Sequence, residues 1–316
     1  MFRSCDNRYI RIKKCASEII KIDDILEGWN AKEILKQAFI QGNAYISNKI
    51  MNQRINLNLD FYHFACQGGH LDLVNLMIER GADDWNAGLK CACEGGHLDL
   101  AKFMIEQGAD DLDSGLASAC RGGHLNIAEF MMERGANKWD RGLYDACKGG
   151  HINLVNLMIE RGASDWNNGL RGACKGGHID LANLMIERGA NDWDKSLDYA
   201  CQGGSRDLVE FIIRRGANNW DRGLAGACRG GHLDLVNFMI ERGATCWNGG
   251  LNGACEGGHI DIVKMMIENG ATDLKQGFQR ARCAGHDHII NLFFNIDMHR
   301  FHMTRERQNP DSYVVH

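Results

Sequence analysis

The chain of 316 residues is 44% hydrophobic and 24% charged with a net charge of −5, which excludes a disordered or fibrous chain and argues against a globally basic nucleic-acid binder. Its 38 glycines against 1 proline point to many tight chain reversals and no extended linkers. The opening MFRSCDNRYIRIKK has no apolar core of a secretory signal and no run is long enough to span a bilayer, so the 13 cysteines are expected to be reduced thiols in the cytoplasm or nucleus.

In chain order, residues 1–31, containing ASEIIKIDDILEGW, are expected to form an N-terminal capping segment. Residues 32–58 are a degenerate repeat, with Ala38 and Gly42 in register with Ala65 and Gly69. A period of 27 then takes over, as Gly68-Gly69 returns at Gly95-Gly96, Gly122-Gly123, Gly149-Gly150, Gly176-Gly177, Gly203-Gly204, Gly230-Gly231 and Gly257-Gly258. Nine units fill 59–301, the last degenerate because Arg282, Cys283 and Ala284 replace the usual Cys-x-Gly. A polar tail with Pro310 occupies 302–316 and is expected to be loose. Decay at both ends suits repeats that face water on one side.

Each unit reads as two short helices. Helix A, over roughly residues 87–94, is expected to start after an N-cap column of Asn86, Asp113, Asp140, Asn167, Asp194, Asp221 and Asn248, and to end at Gly95-Gly96 in a left-handed turn. Helix B runs from Leu98 to Gln107 and stops at Gly108, with Asp99 in its first turn. In the first clear unit, Leu71, Leu73, Val74, Leu76, Met77 and Ile78 leave only Asp72, Asn75 and Glu79 as a polar stripe, so most of the girth of helix B is expected to be buried. Helices of about ten residues are marginal alone in water, so the units must press these faces together. The fold class is all-α, a solenoid of stacked helix-turn-helix repeats.

The stretch GHLDLVNLMIERGADD, residues 69–84, resembles the second half of an ankyrin repeat, with its glycine-histidine start, apolar second helix and Gly-Ala-Asp exit. An ankyrin unit has about 33 residues and opens on Thr-Pro-Leu-His; here Gly88-Leu89 stands there and the unit is about six residues shorter. The resemblance implies a truncated hairpin loop whose space is taken by the Trp-bearing DDWNAG, a variant similar to arrays of large DNA viruses. It also implies a non-enzymatic protein-binding scaffold, and a host cytoplasm as its site of action if viral.

Cysteine and histidine recur four residues apart, from Cys66/His70 to Cys255/His259. Each unit offers two ligands where a structural zinc takes four, and neighbouring helices lie ~8–10 Å apart, too far to share an ion. Ser205 replaces histidine while Cys201 stays, so the two columns vary independently. Cysteine therefore reads as a small buried hydrophobe, histidine as a cap on helix B, and no metal or other cofactor is expected. Trp85, Trp139, Trp166, Trp193, Trp220 and Trp247, exchanged for Leu112 and Leu274, read as packing groups.

Variation between units separates scaffold from specificity. Positions 87, 90, 91 and 94 change freely and lie on one face of helix A, expected to line the concave surface. In the middle units this stripe holds Arg121, Arg141, Tyr144, Asp145, Lys148, Arg171, Lys175, Lys195, Asp198, Tyr199, Arg222 and Arg229. Its positive excess suits a protein partner with an acidic or phosphorylated segment. Nucleic-acid binding through the same stripe is the alternative, opposed by the lack of a nucleic-acid motif. An adaptor for the ubiquitin machinery would need a helical domain that the tail lacks. No phosphate loop, carboxylate pair or nucleophile elbow stands out, so neither catalysis nor a small-molecule substrate is expected, nor a membrane partner.

Overall fold

The structure, a computed structural model, describes residues 40–42 and 60–296; the capping segment, most of the degenerate repeat and the tail lie outside them. Among the described residues there are helices joined by turns, without a strand. The A helices are α1 (Asp60–Gly68), α3 (Trp85–Gly95), α5 (Leu112–Gly122), α7 (Trp139–Gly149), α9 (Trp166–Gly176), α11 (Trp193–Gly203), α13 (Trp220–Gly230), α15 (Trp247–Gly257) and α17 (Leu274–Ala284). The B helices are α2 (Leu71–Glu79), α4 (Leu98–Glu106), α6 (Leu125–Glu133), α8 (Ile152–Glu160), α10 (Ile179–Glu187), α12 (Arg206–Arg214), α14 (Leu233–Glu241) and α16 (Ile260–Glu268), and residues 287–296 are helical. By compactness they fall into two units, one ending at Gly115 and one starting at Leu116.

Helix A starts earlier than its sequence indicates. Asp84 Oδ1 accepts the Ala87 N–H at 2.9 Å, and Asp165, Asn219 and Asp273 cap their helices in the same way, so the first helical residue is the tryptophan, or Leu274 after Asp273. The Asn/Asp column at 86 has another task. Asn86 Oδ1 accepts the N–H groups of Asp110 and Asp111, both at 2.9 Å, and Asp140, Asn167, Asp194, Asp221 and Asn248 accept the matching pair in the repeat that follows each. A carboxylate or amide oxygen thus satisfies the turn before the next helix, whose donors no helical carbonyl reaches.

The turn from A to B uses the double glycine as a joint between repeats. The second glycine closes helix A in the left-handed region, with φ +84° at Gly150. The first makes room for backbone: a Cβ on Gly230 would lie 2.4 Å from the Gln202 carbonyl oxygen, one repeat back. The next histidine donates to that same oxygen, His232 Nε2 to Gln202 O at 3.2 Å, as do His97 to Gln67 (3.0 Å), His151 to Arg121 (3.1 Å) and His259 to Arg229 (3.2 Å). None of these rings caps its own helix, which corrects the capping role read for histidine. Ser205 does cap, with Oγ 3.5 Å from the Leu208 N–H.

Within the second unit, each A helix from α7 to α15 packs on the next A helix and on its own B helix. The core is a set of columns. Leu143, Ala146 and Cys147 from α7 meet Leu154, Val155 and Met158 from α8, and all are at most 1% exposed. Methionine sulfur fills the space over the glycine of helix A, Met158 Sδ lying 2.5 Å from where a Gly142 Cβ would be. Burial of helix B is narrower than its apolar sequence suggests. Its first residue stays out, Ile152 at 46% and Leu233 at 51% exposure, because helix B presents one side only to the stack. In the first unit the same columns appear in α1–α4, with the Tyr62 hydroxyl donating to Met104 Sδ at 3.2 Å.

The tryptophans are half-buried, and Trp166, Trp193 and Trp247 lie about 4 Å from the Cβ positions of Gly189, Gly216 and Gly270 in the following turns. Arg188 and Arg242 stack over Trp166 and Trp220 at 5.6 and 5.4 Å from the ring centroids.

Candidate functional site

The variable stripe divides into a surface part and a buried part. Arg141, Lys195 and Arg222 are exposed, and Arg121, Tyr144, Lys148, Arg171, Lys175, Asp198, Tyr199 and Arg229 are half-buried. Position 91 and its equivalents point into the contact between successive A helices, where Asp145 is 3% exposed and Ser118 is buried. At three later repeats this place is glycine, Gly172, Gly226 and Gly253, and a Cβ on Gly172 or Gly226 would come within 2.2 Å of the carbonyl oxygens of Tyr144 and Asp198. The A helices approach too closely there for a side chain. Small residues in that column were the available sign of a contact.

Charge on this face is partly consumed by it. Arg121 donates from Nε to Asp145 Oδ1 at 2.8 Å, so the buried carboxylate is matched by a guanidinium from the preceding repeat. Arg229 reaches Asp198 at 3.3 Å and Glu256 at 3.2 Å, and Lys195 pairs with Asp192 at 2.9 Å. Burial pushes the Asp198 carboxyl upward, against the pull of Arg229 and Arg222. Among the described residues, Arg141, Lys148, Lys175 and Arg222 have no carboxylate within 4.0 Å. Burial lowers the Lys175 ammonium, and Lys148, Arg229 and Arg121 press it further down.

The centre of the face is a contact two repeats long. Tyr144 from α7 and Tyr199 from α11 meet edge to face at 6.3 Å between centroids. Gly172 of the intervening α9 lies against the Tyr144 backbone and, with no side chain, leaves the rings room to meet. Lys175 Nζ sits 6.0 Å from the Tyr199 centroid, and burial drives the Tyr144 hydroxyl up to about 12, so it remains a protonated donor. Arg171 is held loosely, 3.3 Å from Asn168 Oδ1 and 4.0 Å from Asp165, and its buried Nε has no hydrogen-bond partner among the described residues. The sequence places these residues on one stripe and gives no sign of the ring pair.

The thiol column offers no reactive site. Burial raises Cys120, Cys147, Cys174, Cys228 and Cys255 to about 12, so the thiolate is scarce at neutral pH. Each histidine described above spends Nε2 on a carbonyl. Among the described residues no three His, Cys, Asp or Glu side chains are grouped to hold a metal ion. In a Cys5→Ser/Cys15→Ser background, the native protein is expected to label quickly with an aromatic disulfide reagent at exposed Cys246 and Cys283 and slowly elsewhere. Mass-spectrometric mapping checks this; early labelling of Cys147 would sink the assignment of that column to the core.

The ankyrin-repeat family model (3 copies) matches residues 62–142 and 91–169. Among solved structures the chain is similar to the crystal structure of the human ASB11 ankyrin repeat domain, with 24% identity over 49% of this chain and 83% of that one and a TM-score of 0.34. No curated protein matches the chain. Ankyrin repeats generally mediate protein–protein interaction. No helix among the described residues is long and apolar enough to cross a membrane.

Proposed function

We propose that the chain is an interaction scaffold that holds a protein partner by an acidic segment, laid along the A-helix face, the concave one in a solenoid of this kind. The observation that carries the reading is the local excess of unpaired cations: Arg141, Lys148, Lys175 and Arg222 lie on one face of a protein whose net charge is −5. Charge of this kind steers encounter and selects partners more than it adds affinity. The tyrosine pair supplies the rigid aromatic area that binding energy concentrates on. A column of free, buried thiols supports action in a reducing compartment, and the Trp-bearing repeat supports a viral protein acting on a host partner.

The test is affinity capture with wild-type protein and an Arg141→Glu/Lys148→Glu/Arg171→Glu/Lys175→Glu variant. The main partner is expected to vanish from the variant while its melting curve stays close to wild type, since these side chains carry few of the contacts that hold the repeats. Equal capture by a folded variant would refute the A-helix face as the binding surface.

A further inference from the structure

We propose that the centre of the A-helix face is a phosphomonoester site, holding a phosphorylated side chain of the partner between Lys148 and Lys175 beside the Tyr144–Tyr199 pair. It rests on the protein-binding reading above and narrows the chemistry of the partner.

Lys148 and Lys175 occupy the same position in successive A helices, α7 and α9, and among the described residues neither has a carboxylate within 4.0 Å. The cations that flank them are already matched, Arg121 by Asp145 and Arg229 by Asp198 and Glu256. Along this column the uncompensated charge is therefore confined to Lys148 and Lys175. Arg171 adds a guanidinium that lies 4.0 Å from the Asp165 carboxylate and whose buried Nε lacks a partner among the described residues. Rearrangement toward an anion would satisfy that donor. The mutual repulsion that helps depress Lys175 is relieved by the same anion.

A single carboxylate brings one charge to this cluster. A phosphomonoester brings about −1.5 to −2 at neutral pH, with three strong acceptor oxygens for two ammonium groups, a guanidinium and the protonated Tyr144 hydroxyl. The ring pair borders the place, with Lys175 Nζ 6.0 Å from the Tyr199 centroid. A nucleic-acid strand fits less well: following the Lys148–Lys175 column it would next cross Gln202 and then Arg229 and Glu256, where the charge is cancelled. The cationic stretch is too short for a continuous track of phosphates.

The experiment passes four degenerate peptide libraries over immobilised full-length protein, with phosphoserine, phosphotyrosine, Asp-Asp or unmodified serine at the centre. One or both phosphorylated libraries are expected to be retained about tenfold more than the unmodified one and clearly above Asp-Asp. Lys148→Ala/Lys175→Ala should bring that retention to the unmodified level, and Lys148→Arg/Lys175→Arg should keep it, with matching melting curves for all three proteins. Equal retention of the Asp-Asp and phosphorylated libraries overturns the phosphate assignment and leaves the acidic-partner reading standing. So does phosphopeptide retention that the alanine pair does not change. Tighter binding of single-stranded oligothymidylate than of any phosphopeptide overturns the assignment in favour of nucleic acid.

Discussion

Replacing Gly230 with alanine is expected to lower the melting temperature of the protein by about 6–12 °C. The new methyl group would sit 2.4 Å from the Gln202 carbonyl oxygen and 2.6 Å from the His232 ring. Backbone cannot swing aside as a flexible side chain can, so either α13 lifts off α11 or the histidine gives up its bond. Overpacking of this kind costs about 3 kcal/mol at the upper end of its usual range, and a region of this size loses ~2–4 °C per kcal/mol. Gly249→Ala provides the contrast. It is the same substitution in the same type of helix, its nearest neighbour would be the Cys246 sulfur at 3.0 Å, and alanine favours a helix over glycine by ~0.5–1 kcal/mol. A small rise is expected there. Thermal unfolding of the two variants side by side decides the matter; similar losses in both would mean that the double-glycine joint is not the tight point.

Removing Arg121 should be the most damaging single change among the polar residues. Asp145 is 3% exposed, and without the guanidinium its carboxylate stays in the helix contact unmatched. Breaking a buried pair from one side costs ~3–5 kcal/mol, and because Arg121 itself is 35% exposed the expectation for Arg121→Met is lower, about 2–3 kcal/mol. Adding Asp145→Asn removes the stranded charge and should return about 1–2 kcal/mol. A double-mutant cycle in urea measures the coupling. If Asp145→Asn makes the Arg121→Met protein worse, the carboxylate is held by something other than Arg121.

The repeat length, the two helices and the core columns could be read from the sequence because they depend on local spacing. Leu89, Ala92 and Cys93 recur at helical intervals and all three are buried. What could not be read depends on which repeat a side chain reaches. Asn86 has the chemistry of a cap and so does Asp84; only the position of the next loop shows that the first binds Asp110 and Asp111 while the second caps its own helix. Histidine has the same ambiguity, since its ring can turn to its own helix or to a carbonyl 30 residues back. Asp145 looked like a surface charge because its neighbours on the stripe are polar, and the small residues at 118, 172 and 226 were the signal against it. The pairing of Tyr144 with Tyr199 needs a missing side chain on a third helix, and no periodicity reports that.

The recurring backbone bonds between repeats span fixed intervals: 24 and 25 residues for the Asn/Asp column and 30 for histidine, wherever in the array they occur. Inserting or deleting one whole block of 27 would therefore leave each of these donors facing an equivalent acceptor. Such a gene can lengthen or shorten by unequal crossing-over without solving a new folding problem. What each rearrangement alters is the order in which lysine, tyrosine, aspartate and glycine are displayed, so an array of this design can change its surface faster than it changes its architecture.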